Sequence, residues 1–139
     1  MKNNALLLLI GIVAFFIAIG HLLGVHFSLY WGNHWFDTPM HFLGGSFVGL
    51  VALFFYRGLV SGYISARREF LVVLTAALAV GGTWEIFEIV EGTMYLSDPG
   101  YWLDTFHDLF FDVLGAVLAR VVIGLLDSNR PRGQAPQAR

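Results

Sequence analysis

The sequence Trp84-Glu85-Ile86-Phe87-Glu88 stands near the end of an otherwise apolar run from Phe70 to Val90. A run of about 20 apolar residues is long enough to cross a bilayer as a helix. An ionised acid in such a helix is costly, at roughly 2.5–3.5 kcal/mol near the helix centre. The run contains no basic residue, so the partners of Glu85 and Glu88 must come from other parts of the chain.

Composition places the chain among integral membrane proteins. Of its 139 residues, 57% are hydrophobic and 13% are charged, and the charged share is about half of the roughly 25% usual in soluble domains. The chain has no cysteine, which excludes disulfides, thiolate metal ligands and a cysteine nucleophile. No basic patch is interleaved with aromatic residues, so we expect no binding of nucleic acid.

Hydropathy divides residues 1–127 into four transmembrane spans, at about 5–26, 39–60, 70–91 and 104–126. The first apolar run exceeds the roughly 7–15 residues of a signal-peptide core, which favours an anchor over a cleaved signal sequence. Asp37 or Thr38 can cap the second span, and Pro39 fits its first turn. The polar residues 128–139 are predicted to form a disordered tail. We therefore expect an all-α protein with four transmembrane helices in an antiparallel bundle.

The basic residues indicate how this bundle is oriented. All eight of them lie before span one, around the loop between spans two and three, or at and beyond the end of span four: Lys2, Arg57, Arg67, Arg68, Arg120, Arg130, Arg132 and Arg139. Arg120, inside the end of span four, can snorkel to the same side. The two loops on the opposite face carry no Lys or Arg. The positive-inside rule then predicts that both termini are cytoplasmic.

In this topology, ionisable residues of three spans reach similar depths. Span three leaves toward the outer face, while spans two and four enter from it. Glu85 therefore matches Asp112 in depth, and Glu88 matches His41 and Asp108, at about 5.4 Å per helical turn. Intramembrane charges face the bundle interior or a wet cavity. The pattern predicts an acidic pocket that opens outward.

Carboxylates gathered in this way cannot all ionise without a cation, because like charges disfavour one another's ionised form. Either several stay protonated and share hydrogen bonds, or a divalent metal ion neutralises them. Carboxylate and imidazole ligands suit Zn, Mn or Fe and, with more oxygens, Mg or Ca. The predicted metal ligands are His41, Glu85, Glu88, Asp108 and Asp112, with Asp37, Asp104 and His107 supporting them.

Simpler roles compete with these predictions. A structural hydrogen-bond network is the alternative for the whole acidic set, and an N-cap is the alternative for Asp104. Interfacial positions are expected for His21, His26 and His34, and solvated surface positions for Glu91, Asp98 and Asp127. Small residues let membrane helices approach closely. The predicted helix-packing positions are Gly44, Gly45, Gly49, Gly81, Gly82 and Gly115.

Three motifs carry a family resemblance: Asp37-Thr-Pro-Met-His41-Phe42 at the start of one span, Glu85 late in the next, and Asp108-Leu-Phe-Phe-Asp112-Val-Leu-Gly115-Ala116 in the last. This pattern resembles the VanZ-like group of small bacterial membrane proteins and its YjdF-like relatives, over spans two to four. Thr38 stands where the group frequently has Lys, and Asp112 stands where it frequently has Asn, so this site is more acidic. The resemblance implies a multi-pass protein of the bacterial plasma membrane with a link to the cell envelope. It implies no particular reaction.

These residues support one leading hypothesis and two alternatives. The leading hypothesis is a divalent cation in the outward pocket, used to recognise or act on an envelope lipid or lipid-linked headgroup. If the protein is an enzyme, metal-activated water or phosphate polarisation is the expected chemistry. The alternatives are proton- or cation-coupled transport, with Glu85 and Asp112 as the deepest groups, and a structural accessory subunit. The sequence leaves enzymatic activity, the identity of the metal and the oligomeric state open, a homodimer included.

Overall fold

The computed structural model describes residues 4–32, 34–60, 65–92 and 94–128, with residues 31, 32 and 34 described by their backbone alone. The helices are α1 (Asn4–His26), α2 (Leu29–Gly32), a 3-10 turn (His34–Phe36), α3 (Asp37–Leu59), α4 (Ala66–Glu91) and α5 (Tyr101–Ser128), and the described ranges contain no strand. Four helices, α1, α3, α4 and α5, are long and apolar enough to cross a membrane. The prediction of an all-α protein with four transmembrane helices is confirmed. The predicted tail lies almost entirely outside the described residues and stays a prediction.

The helix starts differ from the predicted ones where local capping decides them. The side chain of Ser65 accepts a hydrogen bond from the Arg68 backbone N–H, so α4 begins a turn earlier than its hydropathy indicates. The prediction that Asp37 or Thr38 caps α3 was wrong. The capping residue is Phe36, which makes no side-chain cap bond, and Asp37 is already helical.

The central element is α3, which packs against α1, α4 and α5 and most extensively against α5. In contrast, α1 packs mainly on α3 and buries only Leu6 and Gly24. The bundle therefore has a three-helix core of α3, α4 and α5, with α1 at its periphery.

Glycine and alanine bring the backbones of α3 and α5 into direct contact. A Cβ atom on Gly45 would overlap the backbone of Asp112, and one on Gly49 would lie 2.9 Å from the Cα of Ala116. From the other side, a Cβ on Gly115 would overlap α3. Because the two backbones are close, the polar side chains of α5 lie against those near the Asp37 end of α3.

The remaining predicted packing glycines differ in what surrounds them. A Cβ on Gly81 of α4 would overlap the carboxylate of Asp112. One on Gly44 would make an ordinary 3.9 Å contact with the same carboxylate, and one on Gly82 would meet nothing within 4 Å. Close packing thus accounts for Gly81, and it gives no reason for the glycine at position 82.

An apolar layer fills the middle of the three-helix core. Its buried residues are Leu50, Leu53, Val73, Ala77, Ala116, Ala119 and Ile123, and Leu6 of α1 packs against them. Polar clusters lie on both sides of this layer. One surrounds His41, and the other surrounds Arg57 near the opposite end of α3.

The second polar cluster, here called the arginine cluster, consists of Arg57, Glu69, Arg120 and Asp127. Arg57 donates hydrogen bonds to Glu69 at 2.6 Å and to Asp127 at 2.8 Å, while Arg120 lies 3.2 Å from the other oxygen of Glu69. Glu69 is only 6% exposed. Arg120 lies at the Arg57 end of the bundle as expected, and it pairs with Glu69 there. Asp127, expected as a solvated charge, is 35% exposed and pairs with Arg57. These ion pairs tie the ends of α3, α4 and α5 together.

Candidate metal centre

The imidazole of His41 is the centre of the site. It is only 7% exposed, and three carboxylates surround it. Its Nδ1 lies 3.3 Å from Oδ2 of Asp112, and its Nε2 lies 3.4 Å from Oδ2 of Asp37 and 4.0 Å from Oδ2 of Asp108. We call these four residues the acidic cluster.

Helical spacing explains how two helices supply this cluster. Asp37 and His41 are four residues apart on α3, and Asp108 and Asp112 are four residues apart on α5, so each pair lies on one helix face. The contact between Gly45 and the Asp112 backbone turns these two faces toward each other. The match in depth between His41 and the α5 carboxylates is therefore a direct result of the glycine contact.

The contacts of His41 give its two nitrogens different roles. With the proton on Nδ1, the ring donates a hydrogen bond to Asp112 and directs the Nε2 lone pair toward Asp37 and Asp108. A carboxylate that fixes the far nitrogen of a histidine in this way is typical of metal-binding histidines. Asp112 is thus placed to orient the ring, while Asp37, predicted as a supporting residue, lies on the open side.

Ligand atoms of Asp37, His41 and Asp108 all lie within 4.8 Å of one another. Two ligands that each bind an ion at about 2.1 Å are separated by roughly 3.0–4.2 Å for angles from 90° to 180°. The separations of 3.4 and 4.0 Å from Nε2 of His41 fall in this range. The three side chains could therefore hold a cation with small movements.

Asp108 is the most deeply buried acid of the cluster, at 2% exposure. Its Oδ2 has no hydrogen-bond partner among the described residues, and its Oδ1 lies 3.7 Å from Nδ1 of His107. A buried carboxylate without donors loses its solvation and gains little in return. Asp108 therefore needs a proton or a cation.

The predicted ligands on α4 lie beside this group. Glu85, which is 6% exposed, accepts a 2.7 Å hydrogen bond from the Thr105 hydroxyl, and its Oε1 has no hydrogen-bond partner among the described residues. Glu88 accepts a 3.1 Å bond from the Trp84 indole, one turn away on the same helix. The group of ligand atoms around His41 includes neither acid.

Asp104 and His107 lie at the exposed start of α5. Asp104 is exposed in the first turn of the helix, where its negative charge interacts favourably with the helix dipole. It is not the N-cap, because α5 begins at Tyr101. His107 contacts Asp108, and its ring packs against Phe111 with a centroid separation of 4.7 Å.

The cluster is accessible from one end of the bundle. The side chain of Asp37 is 35% exposed, and that of the neighbouring His107 is 49% exposed. The other three residues of the acidic cluster are buried. Tyr30 lies nearby on α2, where burial and the negative charge of Asp37 both raise the pKa of its phenol above the usual value. An ion or a small polar group could reach the cluster past Asp37 and His107.

The sequence matches a known protein family. A family described as "Predicted membrane protein (DUF2238)" matches residues 2–129. The chain belongs to this family. No curated protein and no solved structure matches it. Together with the four membrane-crossing helices, the match identifies this DUF2238 protein as a multi-pass integral membrane protein.

The family match spans all four transmembrane helices and includes both polar clusters of this DUF2238 protein. Spacing and depth in the sequence indicated His41, Asp108 and Asp112 as neighbours, but they also included Glu85 and Glu88 and gave Asp37 only a supporting role. Sequence reasoning did not find the arginine cluster. Glu69 near a helix start looks like an ordinary first-turn acid, and only the folded bundle reveals that two arginines surround it.

Proposed function

We propose that this DUF2238 protein binds a divalent cation through Asp37, His41 and Asp108, and uses it to recognise or act on the headgroup of an envelope lipid or lipid-linked molecule. The protein would reside in the bacterial plasma membrane, with both termini in the cytoplasm. The observation that carries the proposal is the geometry of His41. Asp112 holds one ring nitrogen, while two acids face the other.

The charge of the cluster supports a cation as the occupant. Three carboxylates surround one imidazole, and the described Lys and Arg residues are all in the half of the bundle that contains Arg57. Ionising these acids in a site away from water requires a compensating positive charge. A divalent ion bound by carboxylate and imidazole provides that charge, and the mixed nitrogen and oxygen ligands suit Mn, Fe or Zn.

The position of the cluster favours a headgroup as the second ligand. Asp37 is the first residue of a membrane-crossing helix, at the depth where the apolar region gives way to the polar interface. Trp35, Tyr95 and Trp102 are exposed at the same end, as expected for an interfacial aromatic belt. Since none of the described Lys and Arg residues lies at this end, a phosphate would depend on the cation for attraction and polarisation.

The motifs also suggest a wider relationship. Asp37 and His41, Glu85, and the run from Asp108 to Ala116 follow the VanZ-like and YjdF-like pattern. We propose that the DUF2238 chain is allied with that group. This alliance supports a bacterial plasma membrane location and a role connected with the envelope.

Transport is less well supported than headgroup binding. The apolar layer that includes Leu50, Leu53 and Val73 lies between the two polar clusters, and these three side chains are at most 2% exposed. A proton or ion moving across the core would meet no polar group in this layer. A structural accessory role remains the simpler alternative, and it predicts that cation binding is dispensable.

The test is binding of Mn²⁺ and then of a lipid phosphate by the purified protein in nanodiscs. Wild type should bind Mn²⁺ and retain phosphatidic acid in its presence but not in EDTA, with phosphatidylcholine as the control lipid. Asp108→Asn should lose both activities. Glu91→Gln removes an exposed acid at the end of α4 and should keep both. Failure of wild type to bind Mn²⁺, Zn²⁺ or Fe²⁺ would contradict the proposal.

A further inference from the structure

The two carboxylate oxygens of Asp108 face two different histidines. Oδ2 lies 4.0 Å from Nε2 of His41, and Oδ1 lies 3.7 Å from Nδ1 of His107. Both separations are too long for a hydrogen bond. Both fit two ligands of one ion, which lie roughly 3.0–4.2 Å apart when each binds at about 2.1 Å.

We propose that Asp108 bridges two cation positions. The first is the position described above, with Asp37 and His41. The second lies between Oδ1 of Asp108 and Nδ1 of His107, nearer the open end of the site. This inference rests on the proposed function and adds to it a second ion and a role for His107.

The hydrogen bonding of Asp108 supports a bridging role. Asp108 is 2% exposed, and its Oδ2 has no hydrogen-bond donor in the described part of the chain. A serine, threonine or asparagine at a neighbouring position would provide such a donor if the carboxylate were purely structural. Instead, an imidazole nitrogen lies 4.0 Å from Oδ2 and another lies 3.7 Å from Oδ1. Imidazole and carboxylate together are ligands for divalent transition metals.

The surroundings of His107 explain how the second position would differ from the first. Its side chain is 49% exposed, and the ring rests on Phe111, which limits its rotation. Because the described residues supply two ligands there, the other coordination positions would be open to water or to an incoming ligand. The first ion would be retained, and the second would exchange readily.

A pair of ions bridged by a carboxylate defines the chemical class of the ligand. Two divalent ions about 3.5–4 Å apart can hold two oxygens of one phosphate group. The second ion would therefore bring the phosphate of a headgroup to the open end of the cluster. A single ion could bind the phosphate, but it could not hold both oxygens in this way.

Metal stoichiometry tests the proposal. Each protein is dialysed to equilibrium against a saturating concentration of Mn²⁺, and the Mn²⁺ bound in excess of the buffer is counted in wild type, His107→Ala and His26→Ala. The last variant removes an exposed histidine at the end of α1 as a control. We expect two ions in wild type and in His26→Ala, and one in His107→Ala. Electron paramagnetic resonance should show a spin-coupled Mn²⁺ pair that is absent from His107→Ala.

The outcomes separate this inference from the function on which it rests. One uncoupled ion in wild type and in His107→Ala overturns the bridge but leaves the single-cation function intact. Two coupled ions in His107→Ala overturn the role of His107. No bound ion in any of the proteins overturns the proposed function as well. Because His107 is half exposed, its removal should leave thermal unfolding unchanged, which the same samples can check.

Discussion

At the scale of single residues, Asp112 decides which nitrogen of His41 is available to a ligand. Its Oδ2 lies 3.3 Å from Nδ1 of His41 and accepts a hydrogen bond from it when that nitrogen carries the proton. We expect Asp112→Ala to lower metal affinity by roughly 10–100-fold, the usual effect of removing a residue that orients a ligand. Asp112→Asn keeps an acceptor oxygen and should cost less. Isothermal titration with Mn²⁺ measures both, and an Asp112→Ala protein with unchanged affinity would contradict this role.

Asp37 should be as important as His41, because it faces the Nε2 nitrogen. We expect Asp37→Asn to reduce the bound metal to the level of Asp108→Asn. Asp98→Asn, in the loop between α4 and α5, is the matched control and should retain wild-type binding. Elemental analysis of the three variants decides the question, and full metal content in Asp37→Asn would exclude the residue as a ligand.

The sequence predicts that these residues lie near one another, but it does not predict the role of each one. Helical spacing and topology matched His41 with Asp108 in depth and placed Asp112 one turn deeper, whereas in the structure both acids lie beside His41. The rotation of α4 about its own axis was not predictable in the same way. That rotation directs Glu85 to Thr105, while Glu88 bonds to a tryptophan of its own helix. Which acids meet is decided by close contacts that no single helix encodes.

At the scale of helices, the contact of α3 with α5 depends on positions without side chains. A Cβ on Gly45 would overlap the Asp112 backbone, which cannot move aside as a flexible side chain could. We expect Gly45→Ala to destabilise the protein by roughly 1–3 kcal/mol, the usual cost of inserting extra atoms into a well-packed core. Its thermal unfolding temperature in detergent should fall, and metal binding should weaken with it.

Gly82→Ala is the matched control for this substitution. Its Cβ would meet nothing within 4 Å, and alanine is favoured over glycine in a helix by up to about 1 kcal/mol. Its unfolding temperature should stay the same or rise. Equal effects of the two substitutions would show that backbone contact is not what the glycine at position 45 provides.

The arginine cluster holds the other end of the same three helices. Removing Arg57 leaves the buried Glu69 with Arg120 as its remaining partner and also breaks the contact with Asp127. We expect Arg57→Ala to cost roughly 3 kcal/mol, the low end for breaking a buried ion pair. Arg67→Ala removes an exposed arginine and should cost little. Thermal unfolding of both proteins measures the difference, and equal values would contradict the account.

In the sequence, the arginines at this end of the bundle indicate only the topology of the chain. The positive-inside rule concerns the side on which arginines lie, and it does not say which acid each one contacts. Glu69 lies 12 residues from Arg57 along the chain, across a predicted loop. Only the packing of α4 on α3 and α5 brings it between two arginines.

At the scale of the whole molecule, the orientation in the membrane is a separate prediction. The native chain has no cysteine, so single cysteines can be introduced without background. Asp98→Cys should react with a membrane-impermeant maleimide in intact cells. Arg67→Cys should react only after the membrane is opened. The reverse pattern would place the acidic cluster on the cytoplasmic side and remove the argument for an outer-leaflet headgroup.

Polar and apolar layers alternate along the three-helix core. Two polar clusters are separated by buried leucine, valine and alanine side chains in the three-helix core. The apolar layer therefore separates the surroundings of the two clusters. The proposed binding site would lie at one end of the bundle.

If the acidic cluster binds a divalent cation, elemental analysis of the purified protein should detect that ion. Wild type, Asp108→Asn and Glu91→Gln would be prepared in parallel without chelator. The account predicts at least one tightly bound transition metal ion per chain in wild type and Glu91→Gln, and none in Asp108→Asn. A wild-type protein without metal, which also fails to take up Mn²⁺, Zn²⁺ or Fe²⁺ on addition, would contradict it.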